Sequence, residues 1–482
     1  MHVASPLLRA ALPATGRLSL CVISAAMVAA AFPPVNLQFL MWVGLLPLLL
    51  ALEGLSPRDC AAHAGVFGFV LFALTVHWLW NLFGVFSASL FVIFALSYAL
   101  FGWLYGQARQ RLTPAAVVLL TPTLWVGAEY LRAECWALRF GWGALGYSQA
   151  DTAVMQLASV VGVYGVTWLL VLVNALLYFT VTLPADRSVR LCWLAGSLLV
   201  GGIKLSESLS RKRSERRIER LLRAACVQGE EVAPEQYEEA AATLGHVELM
   251  VLPEYALHDD PAWDIASAEV FSRIARRHRA YLLYGCLRHT TPQQAQFFNT
   301  ALMLSPDGNP AGEYRKRNPL PFFNDGLPGH GSQPITTSIG RIGVAVCFDG
   351  DFEKPCREVT AHGAQLLAIP TFDSRTWGDA MRRQHEAFPR FRAVETGMYV
   401  VRAASSGYSM VVDPKGRVLA RARTTEPEAI QARVGLREDL TWYVRWGWLW
   451  PRVCLAVSGL LAAISMMCRR RRCPATAVVT AG

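Results

Sequence analysis

The chain reads as a multi-span α-helical membrane domain joined to an α/β domain, and three observations predict this. Of its 482 residues, 53% are hydrophobic and only 17% are charged, against about 25% charged in an ordinary soluble domain. The mean hydropathy is +0.29. The apolar length is concentrated before residue 205 and again near 445–467. From about 224 to 435, short β-rich runs alternate with charged helical stretches, the texture of an α/β domain.

Candidate spans fall at about 17–33, 38–54, 62–84, 86–106, 114–133, 158–183, 190–205 and 445–467. A span needs roughly 20 apolar residues, and the first, second and seventh are short. The N-terminus, with Arg9 and Arg17 before Leu18 to Phe32, has the form of a signal peptide. A second apolar run follows at once, which favours an uncleaved first span. Leu18-Ser19-Leu20-Cys21 invites a lipidation reading, but the bulky Leu20 argues against it.

Eight spans with the N-terminus inside place Arg9, Arg17, Arg58, Arg109, Arg111, Arg187, Arg190 and the Arg469–Arg472 tail on the inner side, and only Arg132 and Arg139 in short outer loops. This asymmetry follows the positive-inside rule and puts 206–444 outside. Residues 211–223 are strongly basic and oppose it. They read as a basic amphipathic connector, 206–223, lying on anionic head groups. The expected organisation is a helical bundle over 1–205, the connector, an α/β catalytic domain over 224–440, a C-terminal span over 445–467 and a basic tail over 468–482. The net charge of +10 is thus a matter of topology, and no nucleic-acid partner is expected.

Strands are expected at 224–227, 249–252, 280–284, 300–304, 342–346, 366–369, 398–402 and 409–412, and helices at 234–244, 264–279, 352–362 and 378–396. Asp413-Pro414-Lys415-Gly416 reads as a turn. The eleven cysteines form no CxxC pair and no Cys/His metal spacing, so neither a zinc site nor a disulfide framework is read. No cofactor is expected.

The chemistry lies in three residues. Cys347 ends the apolar run Ile342 to Val346, and Glu254 follows Val251-Leu252-Pro253 at another strand end. Between them lies Lys316, in Tyr314-Arg315-Lys316. A thiol is a weak nucleophile until a base takes its proton. A carboxylate at the rim of a core is suited to that role, because desolvation raises its proton affinity. A fixed cation can stabilise the oxyanion that develops on the attacked carbonyl. Singly, each has an ordinary structural explanation: a surface acid, one of three consecutive basic residues, a buried thiol. Together and in this order they indicate acyl chemistry through a thioester.

The combination resembles the nitrilase superfamily. Val346-Cys347-Phe348-Asp349, Gly363-Ala364-Gln365-Leu366-Leu367, Phe391 to Gly397 and Val401 to Gly407 are similar to its signatures. The membrane half narrows the resemblance. Trp125 to Arg132, Phe140 to Gln149 and Gln156 to Gly165 resemble the apolipoprotein N-acyltransferase family. The resemblance implies an α-β-β-α sandwich for the catalytic domain. It also implies a multi-pass protein of the cell inner membrane with that domain on the periplasmic face. Glu254 would act as base, Cys347 as nucleophile, and Lys316 with the backbone N–H of Phe348 as oxyanion stabilisers. A phospholipid would donate the acyl group to the amine of a diacylated apolipoprotein.

The sequence departs from the family pattern at Pro321-Phe322-Phe323-Asn324-Asp325, where a second glutamate is missing and Asp325 stands one position late. It departs also at Asp349, where the family favours Glu, at Arg375-Thr376-Trp377-Gly378, and in a shorter stretch between Lys316 and Cys347. Phe348, Asp349, Asp325 and Asn324 are therefore candidates for support or substrate binding. These changes keep open a membrane-anchored carbon-nitrogen hydrolase or amidase, or an acyltransferase with a different acceptor. Trp142, Tyr147 and Gln149 are expected as interfacial belt residues. Glu129 should face the bundle interior or a wet cavity.

Overall fold

Backbone polar groups in hydrocarbon must be satisfied within the segment itself, which helices achieve. The computed structural model describes residues 13–182, parts of 190–209, and 218–291, 296–423 and 425–471. Among the described residues, four helical runs are long and apolar enough to cross a membrane: Leu79–Arg111, Pro114–Cys135, Ala153–Thr182 and Gly447–Cys468. They match the expected spans 86–106, 114–133, 158–183 and 445–467. The protein is a membrane protein.

Two other expected spans do not form as single helices. The helix over Pro57–Thr75 starts early, where the Ser56 side chain accepts from Asp59 N, and it stops before the expected end. Leu79–Phe83 is a separate short helix leading into Ser87–Arg111. Segment 38–54 breaks into a 3-10 turn, Gln38–Trp42, and a six-residue helix, Leu46–Ala51. At 1.5 Å per residue that helix is about 9 Å long and too short to cross. The described helices thus do not reproduce eight full spans. Segment 190–205 is described only in part, and its described residues are helical, with Gly196–Leu205 shorter than a full span.

Twelve strands build the soluble half: β1 (Arg220–Gln228), β2 (Leu249–Val251), β3 (Tyr281–His289), β4 (Phe297–Leu304), β5 (Pro310–Arg315), β6 (Ile335–Thr337), β7 (Gly340–Val344), β8 (Leu366–Thr371), β9 (Val400–Ala404), β10 (Met410–Val412), β11 (Val418–Arg421) and β12 (Glu428–Leu436). One sheet runs β12-β1-β2-β3-β4-β5 and the other β11-β10-β9-β8-β7-β6. Successive side chains of a strand point to opposite faces. Ala224 and Cys226 of β1 therefore share a core with Val401 and Ala403 of β9. Ala225 and Val227 point away, into a core closed by the helices Pro234–Ala241 and Ile265–His278. The helices Glu353–Ala361 and Ala387–Thr396 cover the other sheet. The result is the expected α-β-β-α sandwich.

Residues 220–223, read as the end of the basic connector, belong instead to β1 and pair with β12, from Arg220 opposite Leu436 to Arg223 opposite Arg433. Only Leu222 of these four is buried, so an edge ladder rather than hydrophobicity fixes them. The rest of the connector lies largely outside the described residues.

The soluble half is fastened to the helices by buried polar contacts. Gly162 has φ 69 and interrupts the helix Ala158–Thr182. The freed N–H of Val163 donates to Glu395 Oε1 at 2.9 Å. Glu395 also pairs with Arg392 at 2.8 Å, both about 1% exposed, and Arg392 donates to the Tyr147 hydroxyl at 3.1 Å. Trp142, Tyr147 and Gln149 are buried, which corrects the expectation of an interfacial belt. The cause is the docked domain: Tyr147 packs on Phe388 at 4.3 Å, and Trp142 Nε1 donates to Asp351 at 2.8 Å. Glu129 faces the bundle interior as expected, accepting from Leu145 N at 3.1 Å and the Thr167 hydroxyl at 2.9 Å.

Glu395→Ala would leave Arg392 a buried cation without its carboxylate and Val163 N–H without an acceptor. It is expected to cost about 3–5 kcal/mol, seen as a lowered thermal unfolding midpoint in detergent. Tyr147→Phe, which removes one neutral acceptor, is expected to shift the midpoint far less.

Candidate active site

Each of the three singled-out residues leaves a strand end. Glu254 follows β2 through Leu252-Pro253, and all three are buried. The turn lies directly on β3: a Cβ at Gly285 would sit 2.5 Å from Glu254 Cα and Tyr255 N, so only glycine admits it. Lys316 follows β5, its N–H donating to Asn299 O at 2.8 Å. Cys347 lies just past β7, with φ 47, a left-handed conformation that costs a non-glycine residue about 1–3 kcal/mol. It opens the 3-10 turn Cys347–Asp351.

The structure brings Glu254 and Lys316 into contact at 2.7 Å, and Asp325 joins them, with Lys316 Nζ 2.8 Å from its Oδ2. Asn299 Nδ2 lies 2.6 Å from Glu254 Oε1 and 2.7 Å from Asp325 Oδ1, tying the two carboxylates together. The Tyr255 hydroxyl donates to Asp325. Phe372 links Glu254 and Cys347: its N–H donates to Glu254 Oε2 at 2.9 Å, and its carbonyl lies 3.6 Å from Cys347 Sγ.

The remaining candidates divide. Asp349 is fully buried but serves the backbone: it accepts from Asn318 N at 2.9 Å, Asn318 Nδ2 at 2.7 Å and the Tyr314 hydroxyl at 2.9 Å. It thereby pins the segment after Lys316 to the cysteine turn. Phe348 lines the cavity in front of the thiol. Asn324 is exposed, while its neighbour Asp325 turns inward.

Burial raises the Glu254 carboxyl above the ordinary carboxylate range, with Lys316 opposing and Asp325 adding to the rise. Burial alone would depress the Lys316 ammonium, but Glu254 and Asp325 hold it well above the ordinary lysine value. Burial works against the Asp325 carboxylate too, yet Lys316 keeps it below its ordinary value. Burial pushes the Cys347 thiol well up, with Glu254 in the same direction and Lys316 against. The site therefore favours a neutral thiol, a carboxylate of raised proton affinity and a charged ammonium.

The thiol opens on an apolar cavity. Trp78, Leu82, Phe83 and Phe94 supply its membrane-helix side, and Leu320 to Phe323 cover it. His385, which sequence reading passed over, closes the wall. Its Nε2 lies 2.9 Å from Asp351 Oδ1 and its Nδ1 2.7 Å from Asp373 Oδ1, and Arg402 Nη2, which pairs with Asp373, lies 3.0 Å from the same Nδ1. Burial lowers the imidazole pKa and the adjacent Arg402 opposes protonation too, but Asp373 and Asp351 outweigh both and raise it to about 9. His385 sits in a charged helical stretch that gave no sign of this. Asn299 had a signal, a polar side chain in the aromatic run Phe297-Phe298.

Residues 24–176 match the family described as apolipoprotein N-acyltransferase N-terminal domain, and 218–438 match carbon-nitrogen hydrolase. The apolipoprotein N-acyltransferase of Gloeobacter violaceus is 30% identical, over 92% of this chain and 93% of its own. That of Geobacter metallireducens is 28% identical over 92% and 94%, and that of Methylococcus capsulatus 29% over 86% and 89%. The chain belongs to the apolipoprotein N-acyltransferase family.

A histidine whose folded pKa is raised contributes stability that is present below its unfolded value, near 6.5, and is lost as pH rises through about 9. The thermal midpoint is therefore expected to fall between pH 7 and 9.5, and His385→Gln to flatten that fall. Equal slopes for the two proteins would contradict the charged pairing with Asp351 and Asp373.

Proposed function

We propose that this chain transfers a fatty acyl group from a phospholipid, through a thioester on Cys347, to the N-terminal amine of a diacylglyceryl-cysteine on an apolipoprotein. The observation that carries the reading is the position of Cys347. It lies at the wall of an apolar cavity built jointly by the membrane helices and the soluble domain, within the field of the buried Glu254 and Lys316. A small-amide hydrolase has no use for such a cavity, whereas a fatty chain entering from the bilayer does.

In the first half-reaction Glu254 takes the thiol proton as sulfur attacks the sn-1 ester carbonyl. The Lys316 ammonium and the Phe348 N–H stabilise the oxyanion. The ester C–O bond breaks, Glu254 returns the proton to the leaving alkoxide, and a lysophospholipid departs. In the second half-reaction the lipoprotein amine attacks the thioester and loses its proton to Glu254, and the thiolate leaves with an amide formed. Asp325 fixes Lys316 in place of the family's second glutamate. Confinement of both substrates to the membrane supplies orientation.

Charge supports a catalytic domain on the periplasmic face of the inner membrane. The helix Ser87–Arg111 offers Leu90 and Phe94 to the cavity near its start and carries Arg109 and Arg111 in its last turn. Arg452, near the start of the helix Trp450–Arg471, meets Glu353 of the soluble domain at 2.7 Å, and the arginine tail lies at the other end. Both basic ends thus lie away from the site, as the positive-inside rule requires.

The test is transfer from a phospholipid to a synthetic diacylated lipopeptide, followed by mass spectrometry of the lipopeptide. Wild type is expected to add one acyl group as an amide. Cys347→Ala should form no product, and Glu254→Gln should be slowed about 10²–10⁴-fold, the range of a lost general base. Free fatty acid with no acylated lipopeptide would replace transfer by hydrolysis.

A further inference from the structure

A second cavity lies at the junction of the helices and the soluble domain. Its walls are polar where those of the first are apolar. Arg139, Arg317, Lys354 and Arg452 line it, facing Glu134 and Glu353. Most of these charges are already matched. Arg452 and Arg357 hold Glu353 at 2.7 and 2.8 Å. Glu358 takes Arg317 at 2.9 Å and Lys354 at 3.8 Å. Glu134 accepts from the Tyr164 hydroxyl at 3.1 Å and Glu353 N at 3.3 Å.

Arg139 is the exception. Its guanidinium donates to the neutral Asn318 Oδ1 at 2.8 Å and lies 4.7 Å over the Phe352 ring. Among the described residues no carboxylate lies within ion-pair distance of it. It is half-buried and carries a fork of donors suited to a phosphate. Arg139 also lines the apolar cavity that contains Cys347, as do its neighbours Leu138 and Phe140. One side chain therefore forms the partition between an apolar chamber holding the nucleophile and a polar chamber with surplus positive charge. A glycerophospholipid has this layout: an acyl chain, then an ester, then an anionic phosphodiester.

We propose that the polar cavity is the headgroup site for the acyl donor, with Arg139 contacting the phosphodiester while the acyl chain lies in the apolar cavity and the ester meets Cys347. This rests on the transfer reading above and adds a selectivity to it. The diacylglyceryl-cysteine acceptor has no phosphate, so the site acts in the first half-reaction only.

The experiment measures the rate at which the full-length protein in detergent acquires an acyl mass, using three donors of equal chain length: a diacyl phospholipid, a diacylglycerol and a p-nitrophenyl ester. Arg139→Gln is expected to slow acylation by the phospholipid about 10–100-fold, as for a lost hydrogen bond to a charged group. Arg139→Lys should recover part of the rate. The p-nitrophenyl ester should acylate all three proteins within twofold, and the diacylglycerol rate should not respond to the substitution. Equal slowing with every donor would assign Arg139 to holding the cysteine turn through Asn318 and Asp349, and would overturn the proposal. No slowing with any donor would overturn it too. If inorganic phosphate accelerated the diacylglycerol reaction, the cavity would be a site for free phosphate, and the headgroup assignment would fall. Acylation of wild type by the aryl ester but not by phospholipid would overturn the transfer reading, and this site with it.

Discussion

An ammonium withdrawn from water is tolerable only with fixed counter-charges, and Lys316 has two, Glu254 at 2.7 Å and Asp325 at 2.8 Å. Much of the site follows from that constraint. Two carboxylates around one cation leave a net negative charge in a buried place, so one of them must have raised proton affinity, and burial selects Glu254. Asn299 and Tyr255 supply the donors that let Asp325 stay ionised. Glu254, Lys316 and Asp325 are thus one polar cluster, and its removal piece by piece leaves charges unpaired rather than merely absent.

Cys347, the proposed nucleophile, is set near this cluster by its backbone turn and by the side chain that holds the turn. A left-handed cysteine at the end of a parallel strand turns the thiol out of the sandwich, and Asp349 locks the turn to the segment that carries Lys316. The cavity that Cys347 lines is walled by the membrane helices as well as by the soluble domain. Trp142 makes the junction: its ring lines the apolar cavity, and its N–H reaches Asp351, which in turn holds His385. Under the proposed transfer reading, this arrangement would set the thioester site where a bilayer lipid can reach it, since both halves contribute to the cavity wall.

The sandwich and the three central residues were legible in the sequence because apolar strands that end on Glu254 and Cys347 are local patterns. The edge strands were not: β5, β11 and β12 are half-exposed and carry charges that mimic loops, and β6 is only three residues long. Asn299, Phe372 and His385 escaped notice because their partners lie 45, 118 and 34 residues away in sequence. The burial of Trp142 and Tyr147 was misread for a related reason: composition shows which residues suit a membrane interface, not that a second domain covers them. Segment 38–54 was hydrophobic enough for a span, but hydropathy does not report the breaks that divide it.

The central claim is that Cys347 carries the acyl group inside the shared cavity. Peptide mapping of the protein after exposure to a phospholipid with isotope-labelled chains tests it most directly. The account predicts one labelled acyl group on the peptide containing Cys347, sensitive to hydroxylamine and discharged onto a diacylated lipopeptide. Labelled lipopeptide formed while Cys347 stays unmodified, or by Cys347→Ala, would contradict it.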